Sequence, residues 1–208
     1  MPLPFLHQRR PAQPRSRGLG QVLHWLRNGG RPAAFDITDE EVNGTTRQLV
    51  ELTVQVAREM RMRESEIKHA RLGVFLHDIG MSGIPDDVLF KAGSLNKRER
   101  RIVSEHPNYA HELLSSVPAL ASALDIPYCH HEKWDGTGYP QGLKHAEIPL
   151  AARIFAVVDV WVALRSDRPY RPAWTEEDAH VYILQRSGRD FDPAVVEAFL
   201  RVQPVPDV

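Results

Sequence analysis

The chain of 208 residues is long enough to bury one sizeable hydrophobic core and too short for two comfortable domains. Hydrophobic residues make up 42% and charged residues 25%, which are ordinary values for a globular protein. No apolar run reaches the ~18 residues that a transmembrane helix needs, and the lone Cys129 cannot form a disulfide within the chain. We therefore expect a cytoplasmic protein.

Charge is distributed unevenly along the chain, although the net charge is only -1. Residues 1–35 carry six arginines and no acidic residue, so all 27 acidic residues lie beyond them. This composition, together with its prolines and glycines, predicts a flexible basic leader over 1–35, followed by one domain over 36–208. Contact of the leader with an anionic surface is the alternative.

Helical periodicity dominates from residue 36 onward. Leu49, Leu52, Val56 and Met60 share one face of a helix predicted over 39–61. Further helices are predicted over 66–76, 96–113, 119–131, 150–164, from the capping residue Thr175 onward, and over 193–202. Breaker residues predict a loop after residue 78 and a long structured loop over 132–149, a kind of loop that is usually functional or disordered. The pattern predicts an all-α domain.

Imidazole and carboxylate groups stand beside both of these loops. The candidates are His77 with Asp78, His106 in the middle of a helix, His130 with His131, and Asp159 inside an apolar helix. A carboxylate in such a helix is costly to bury unless it is paired or binds a metal ion. Mixed His and Asp ligands suit iron, manganese or zinc, and two such ions can clamp a phosphodiester and activate water. Asp78 is the natural bridging carboxylate.

Each candidate also has an ordinary structural explanation when it is taken alone. An HD dipeptide occurs by chance, His106 could be a core histidine, and Asp159 could pair with Arg153 or Arg168. We interpret His111 and the remaining histidines as non-ligands. The whole set in this order nevertheless favours a metal site.

Six segments of the sequence resemble the HD-GYP family of the HD phosphohydrolase superfamily, over about residues 36–203. They are HDIGMSGIPDDVLFKAGSLN (77–96), EHPNYAHELL (105–114), HHEKWDGTGYPQGL (130–143), IPLAARIFAVVDVWVAL (148–164), SDRPYRPA (166–173) and FDPAVVEAF (191–199). The GYP tripeptide itself is intact at residues 138–140.

The resemblance implies a bundle of about five to seven helices around two, or in some members three, divalent metal ions, here expected to be iron or manganese. It implies hydrolysis of cyclic di-GMP to pGpG or GMP. Family ligand positions fall on Glu41, His77, Asp78, His106, His130, His131 and Asp159, of which His77, Asp78 and Asp159 are the catalytic candidates. Arg168 and Arg171 are implied to contact substrate phosphate, which suits the planar guanidinium, and Tyr139 to shape the pocket.

Four positions depart from the family pattern, among them Arg165, which replaces a small polar residue. Thr45 stands where the family has its first histidine ligand, Met81 replaces a lysine, and Val162 replaces an aspartate. These changes predict a phosphodiesterase with weakened activity. A catalytically degenerate domain that binds cyclic di-GMP or a protein partner, such as a diguanylate-cyclase domain or a sensor, is the alternative. A related enzyme with another nucleotide substrate is a third hypothesis. No polymeric nucleic acid is expected as a partner.

Overall fold

The computed structural model describes residues 44–167 and 171–205. Within these ranges the chain is helical and forms no β-strand, so the all-α prediction is confirmed. The α-helices are α1 Gly44–Glu59, α2 Glu64–Leu76, α3 Asp86–Leu89, α4 Lys97–Val103, α5 His106–Ser115, α6 Asp125–Cys129, α7 Leu150–Leu164, α8 Glu176–Arg186 and α9 Pro193–Val202. Short 3-10 helices cover Ile79–Gly83, Pro118–Ala123 and His145–Glu147.

Helix α7 lies at the centre of the main core. It is apolar on nearly every side, as its sequence predicts, and it contacts α1, α2, α6, α8 and α9. Phe155 and Val158 are fully buried along it, and Phe199 of α9 and Ile183 of α8 pack into the same cluster. This packing fixes the helix that carries Asp159.

A second apolar cluster joins the end of α2 to α5 through Leu76, Ile79 and Leu114. The backbones approach so closely there that a Cβ on Gly80 would lie 1.9 Å from the carbonyl oxygen of His106. Only glycine fits at this contact, which places residues 77–83 directly against the start of α5.

The prediction of one continuous helix over 96–113 was wrong. The helix breaks after Val103 and restarts at His106, since Pro107 in the first turn of α5 has no N–H to donate to the Val103 carbonyl. The His106 ring takes that role, with Nδ1 donating to the Val103 oxygen over 2.8 Å. The break therefore also orients a candidate ligand.

The prediction of one helix over 119–131 was also wrong. The chain forms the 3-10 helix Pro118–Ala123 and then the short α6, which ends at Cys129 with His130 as its C-cap. The predicted leader over 1–35 lies outside the described residues, and the domain boundary at residue 36 stays a prediction.

Candidate metal centre

Three separate chain segments bring the predicted ligands together. The end of α2 carries His77 and Asp78, the start of α5 carries His106, and the end of α6 carries His130 and His131. Nε2 of His77 lies 3.1 Å from one Asp78 carboxylate oxygen, and Nε2 of His106 lies 3.8 Å from the other. One ring nitrogen from each of His106, His130 and His131 lies within 4.8 Å of the others.

Backbone carbonyls fix the orientation of three of these rings. Nδ1 of His77 donates to the Val74 oxygen over 2.6 Å, and Nδ1 of His130 donates to the Ile126 oxygen over 2.9 Å. His106 makes the same kind of bond to Val103. A carbonyl oxygen only accepts, so each Nδ1 carries the proton and, in the neutral ring, each Nε2 presents a lone pair. Metal-binding histidines typically have such a partner on their other nitrogen.

The electrostatics of the cluster favour a cation. Nε2 of His106 lies 3.3 Å from Nε2 of His130, and both side chains are buried. Burial, followed by the neighbouring charges of His106 and His77, lowers the pKa of His130 to about 3, so this ring is neutral at physiological pH. Where both rings keep their proton on Nδ1, neither Nε2 has a hydrogen to donate to the other, and a positive charge near both nitrogens stabilises the contact. The donor set therefore fits a divalent metal ion.

Asp159 lies on α7 and is half-buried. It follows Phe155 by one helical turn, so the two side chains share a face of the helix. The Phe155 ring centroid is 5.1 Å from that of His77 and 6.0 Å from that of His130. This face of α7 therefore borders the cluster. Glu41 and Arg168, the other predicted ligand and phosphate contact, lie outside the described residues.

The GYP segment packs onto the last ligand. A Cβ on Gly138 would lie 2.4 Å from the Lys133 nitrogen and 2.6 Å from the His131 oxygen, so glycine is required for the close approach. The Tyr139 backbone N–H donates to the same His131 oxygen over 3.2 Å, and its ring stacks on the His131 ring at 4.8 Å. Tyr139 therefore lies beside the cluster, and its role in shaping a substrate pocket stays a prediction.

Glu132 is a buried residue of this region that sequence reasoning missed. Its side chain accepts the backbone N–H groups of Gln141, Gly142 and Leu143 at 2.7, 3.1 and 3.1 Å. Burial raises the pKa of this carboxyl, and the three N–H groups oppose the rise. Its position directly after two predicted ligands and before a glycine-rich loop was the available signal.

The first part of the same loop is tied to the turn between α8 and α9. Asp190, whose side chain is 2% exposed, accepts Lys133 Nζ at 3.0 Å and Arg186 Nη1 at 2.7 Å. The Trp134 N–H donates to the Asp190 carbonyl, and the Asp135 N–H to the Arg189 carbonyl. The loop is thus anchored on two sides.

Arg171, predicted to bind substrate phosphate, lies at the end of α7. Its guanidinium donates to the carbonyls of Ala163 and Leu164 at 3.0 and 3.2 Å, and it lies 5.5 Å from the Trp174 ring centroid. A cation is favourable at a helix C-terminus. Phosphate binding by Arg171 stays a prediction.

Three of the four departing positions, Thr45, Met81 and Val162, have distinct environments. Thr45 is exposed in the first turn of α1, Met81 packs half-buried against Ile84 and its apolar neighbours, and Val162 is buried in the main core. The helices around them are regular.

Helices that deliver His–Asp and His–His pairs to one buried cluster define a metal-binding helical domain of the phosphohydrolase type. A family model described as "HD domain" matches residues 34–195. The chain belongs to the HD domain family, and its intact GYP segment and the relatives below place it in the HD-GYP group. Within the described residues, no helix is long and apolar enough to cross a bilayer.

Curated relatives carry names that specify cyclic dinucleotides. A "Cyclic di-GMP phosphodiesterase" of Vibrio cholerae is 47% identical over 135 residues, which cover 62% of this chain and 27% of the relative. The "Cyclic di-GMP phosphodiesterase response regulator RpfG" of Xanthomonas campestris is 44% identical over 149 residues, 70% of this chain and 39% of the relative. A "3'3'-cGAMP-specific phosphodiesterase 2" of Vibrio cholerae is 39% identical over 141 residues, which cover 67% of this chain and 27% of the relative. The chain thus spans less than half the length of these relatives.

Solved structures support the fold. The protein Bd1817 from Bdellovibrio bacteriovorus, titled an HDG"Y"P protein, matches with a TM-score of 0.62 at 15% identity and covers 91% of this chain and 62% of its own. The HD domain of Listeria monocytogenes PgpH, solved with cyclic di-AMP, matches with a TM-score of 0.51 at 17% identity. The match covers 92% of this chain and 98% of the PgpH domain. At these identities the likeness concerns the fold alone.

Proposed function

We propose that this chain hydrolyses cyclic di-GMP to pGpG or GMP in a metal-dependent reaction. The observation that carries the proposal is the cluster of His106, His130 and His131 beside Asp78, in which backbone carbonyls orient the His106 and His130 rings. Cyclic di-GMP is the substrate in the names of several relatives. A cluster of this kind has no evident use in a domain that only binds a nucleotide.

The residues that would hold two or three iron or manganese ions are His77, Asp78, His106, His130, His131 and Asp159, with Glu41 as an additional ligand. When bound, such ions polarise phosphate oxygens and lower the pKa of water so that it can attack phosphorus. The histidine rings stay oriented by their carbonyl partners, and the Asp78 carboxylate faces two of them. Tyr139 walls the pocket, and Arg168 and Arg171 hold the phosphates.

The turnover is expected to be slow. Thr45 supplies no imidazole to a metal ion. Even the loss of a residue that only supports a ligand weakens metal binding by at least ~10-fold. The Met81 side chain has no charge and no titratable proton, so it cannot act as a general acid. General acid–base catalysis typically contributes about 10²- to 10⁴-fold to the rate. In the same proposal the protein acts in the cytoplasm, with a sensor or diguanylate-cyclase partner supplying the input signal.

The test is anaerobic expression with iron and manganese, elemental analysis of metal per chain, and incubation with cyclic di-GMP. 3'3'-cGAMP and cyclic di-AMP serve as comparison substrates. Two or more ions per chain with turnover to pGpG or GMP would support the proposal, and a Thr45→His, Met81→Lys variant should be faster. Met81 is half-buried, so the lysine stem can occupy its place while the ammonium reaches solvent. A metal-loaded protein without turnover in either form would refute the proposal and leave the binding-module alternative.

A further inference from the structure

The buried carboxylate of Glu132 is the inner anchor of the loop that covers the metal centre. It is 3% exposed and accepts three consecutive backbone N–H groups, those of Gln141, Gly142 and Leu143. These hydrogen bonds connect Glu132, which directly follows His131, to residues 141–143 later in the same loop. Bonds to an ionised acceptor are among the stronger hydrogen bonds in proteins.

We infer that Glu132 is a positioning residue that holds the Tyr139 side of the loop closed over His131. Its side chain accepts from the backbone of residues 141–143, and it acts through residues 139–143. Gly138 lies against the backbone of Glu132 itself, and the Tyr139 ring stacks on His131. Releasing residues 141–143 would therefore loosen the contact between Tyr139 and His131.

The opposite side of the loop has its own anchor, which makes the inference specific. Residues 133–135 are held by Asp190 and Arg189 in the turn between α8 and α9, and none of these bonds involves Glu132. A loss at Glu132 should therefore open residues 139–143 and leave residues 133–135 in place. A general loss of stability would open both.

Replacing the carboxylate by an amide tests this directly. In Glu132→Gln the side-chain NH₂ cannot accept, so at least one backbone N–H loses its partner while the volume is kept. Glu147→Gln is the matched control, since Glu147 accepts the backbone N–H of Lys144 at 2.9 Å near the same loop but is exposed. Glu132→Asp keeps the charge on a shorter stem and should recover part of the bonding.

Backbone hydrogen exchange of the full chain, with and without Mn²⁺, is the primary measurement. We expect the amides of residues 141–143 to exchange at least ~10-fold faster in Glu132→Gln, with residues 133–135 unchanged and Glu147→Gln like wild type at 141–143. Unchanged exchange at 141–143 would overturn the inference. Equal acceleration throughout the helices would also overturn it, because Glu132 would then be a general stability residue.

The kinetic part of the inference rests on the proposed function. With cyclic di-GMP, Glu132→Gln should raise KM by roughly tenfold and leave kcat and metal content within about threefold, because the loop shapes the pocket and the ligands stay in place. A fall in kcat with unchanged KM would contradict it. If the wild-type chain does not hydrolyse cyclic di-GMP, the proposed function fails, and hydrogen exchange alone decides the role of Glu132.

Discussion

The contact between Gly80 and α5 links the fold to the metal centre and can be tested with one methyl group. In Gly80→Ala the added Cβ would lie 1.9 Å from the His106 oxygen and 2.6 Å from the Ala110 nitrogen. Ordinary contact needs about 3.4 Å, so residues 77–83 and α5 must separate by about 1.5 Å. Both sides are backbone, and no side-chain rotation relieves the clash. The free energy of unfolding should fall by about 1–3 kcal/mol, as for other overpacked sites.

The same displacement separates two of the predicted ligands. Asp78 precedes the glycine by two residues, and His106 bears the clashing carbonyl, so their 3.8 Å approach widens. We expect Mn²⁺ affinity, measured by calorimetric titration, to fall at least ~10-fold, a loss comparable to removal of a ligand's hydrogen-bond partner. Gly44→Ala is the control, because no atom of the described residues lies within 4 Å of its added Cβ. If Gly80→Ala matched Gly44→Ala in urea midpoint and in Mn²⁺ affinity, the reasoning would be refuted.

Three further predictions concern residues in and beside the candidate metal centre. His130→Ala should weaken Mn²⁺ binding by more than ~100-fold. His111→Ala, which removes a ring in tilted contact with Tyr128, should leave Mn²⁺ binding unchanged, and equal losses in calorimetry would argue against the cluster. Burial, followed by the charges of Glu132 and Asp125, raises the pKa of the Cys129 thiol to about 12. Native Cys129 should therefore react with iodoacetamide at pH 8 roughly 10³-fold more slowly than in urea, and similar rates would contradict its burial. The folded state holds the thiol proton more tightly than the unfolded one, so stability should fall as pH rises from about 8.5 toward 12.

The sequence predicted the helical class and the central helix because those properties depend on local periodicity. The apolar α7 was predicted over 150–164 and is observed at Leu150–Leu164. The break between α4 and α5 was missed, although Pro107 was visible. A proline in the first turn of a helix is ordinary, and the sequence pattern around it did not show that the helix restarts at His106. The Val103 carbonyl, to which Pro107 cannot donate, accepts a hydrogen bond from the His106 ring instead, a local consequence that periodicity does not reveal.

The candidate ligands were predictable because His–Asp and His–His pairs beside breaker-rich loops are unusual, and the family pattern matched them. Their convergence was not predictable from spacing, since it depends on Gly80 admitting α5 and on α6 ending at Cys129. Glu132 was missed for a related reason. Its partners are backbone N–H groups, which every residue has, so the three bonds leave no mark on the sequence of residues 141–143. For Arg171 the residue type alone does not decide the partner. A guanidinium can bind phosphate, and it can also donate to the carbonyls at the end of a helix, as Arg171 does here.

The departures from the family pattern could weaken catalysis while the fold is kept. Met81 extends an apolar cluster, Val162 is buried in the main core, and Thr45 is exposed at the start of α1, so all three are compatible with the observed packing. None of them touches the backbone bonds that orient His77, His106 and His130. Restoring histidine at 45 and lysine at 81 should therefore change metal content and rate without changing the fold. That separation allows activity and stability to be measured as independent properties of this chain.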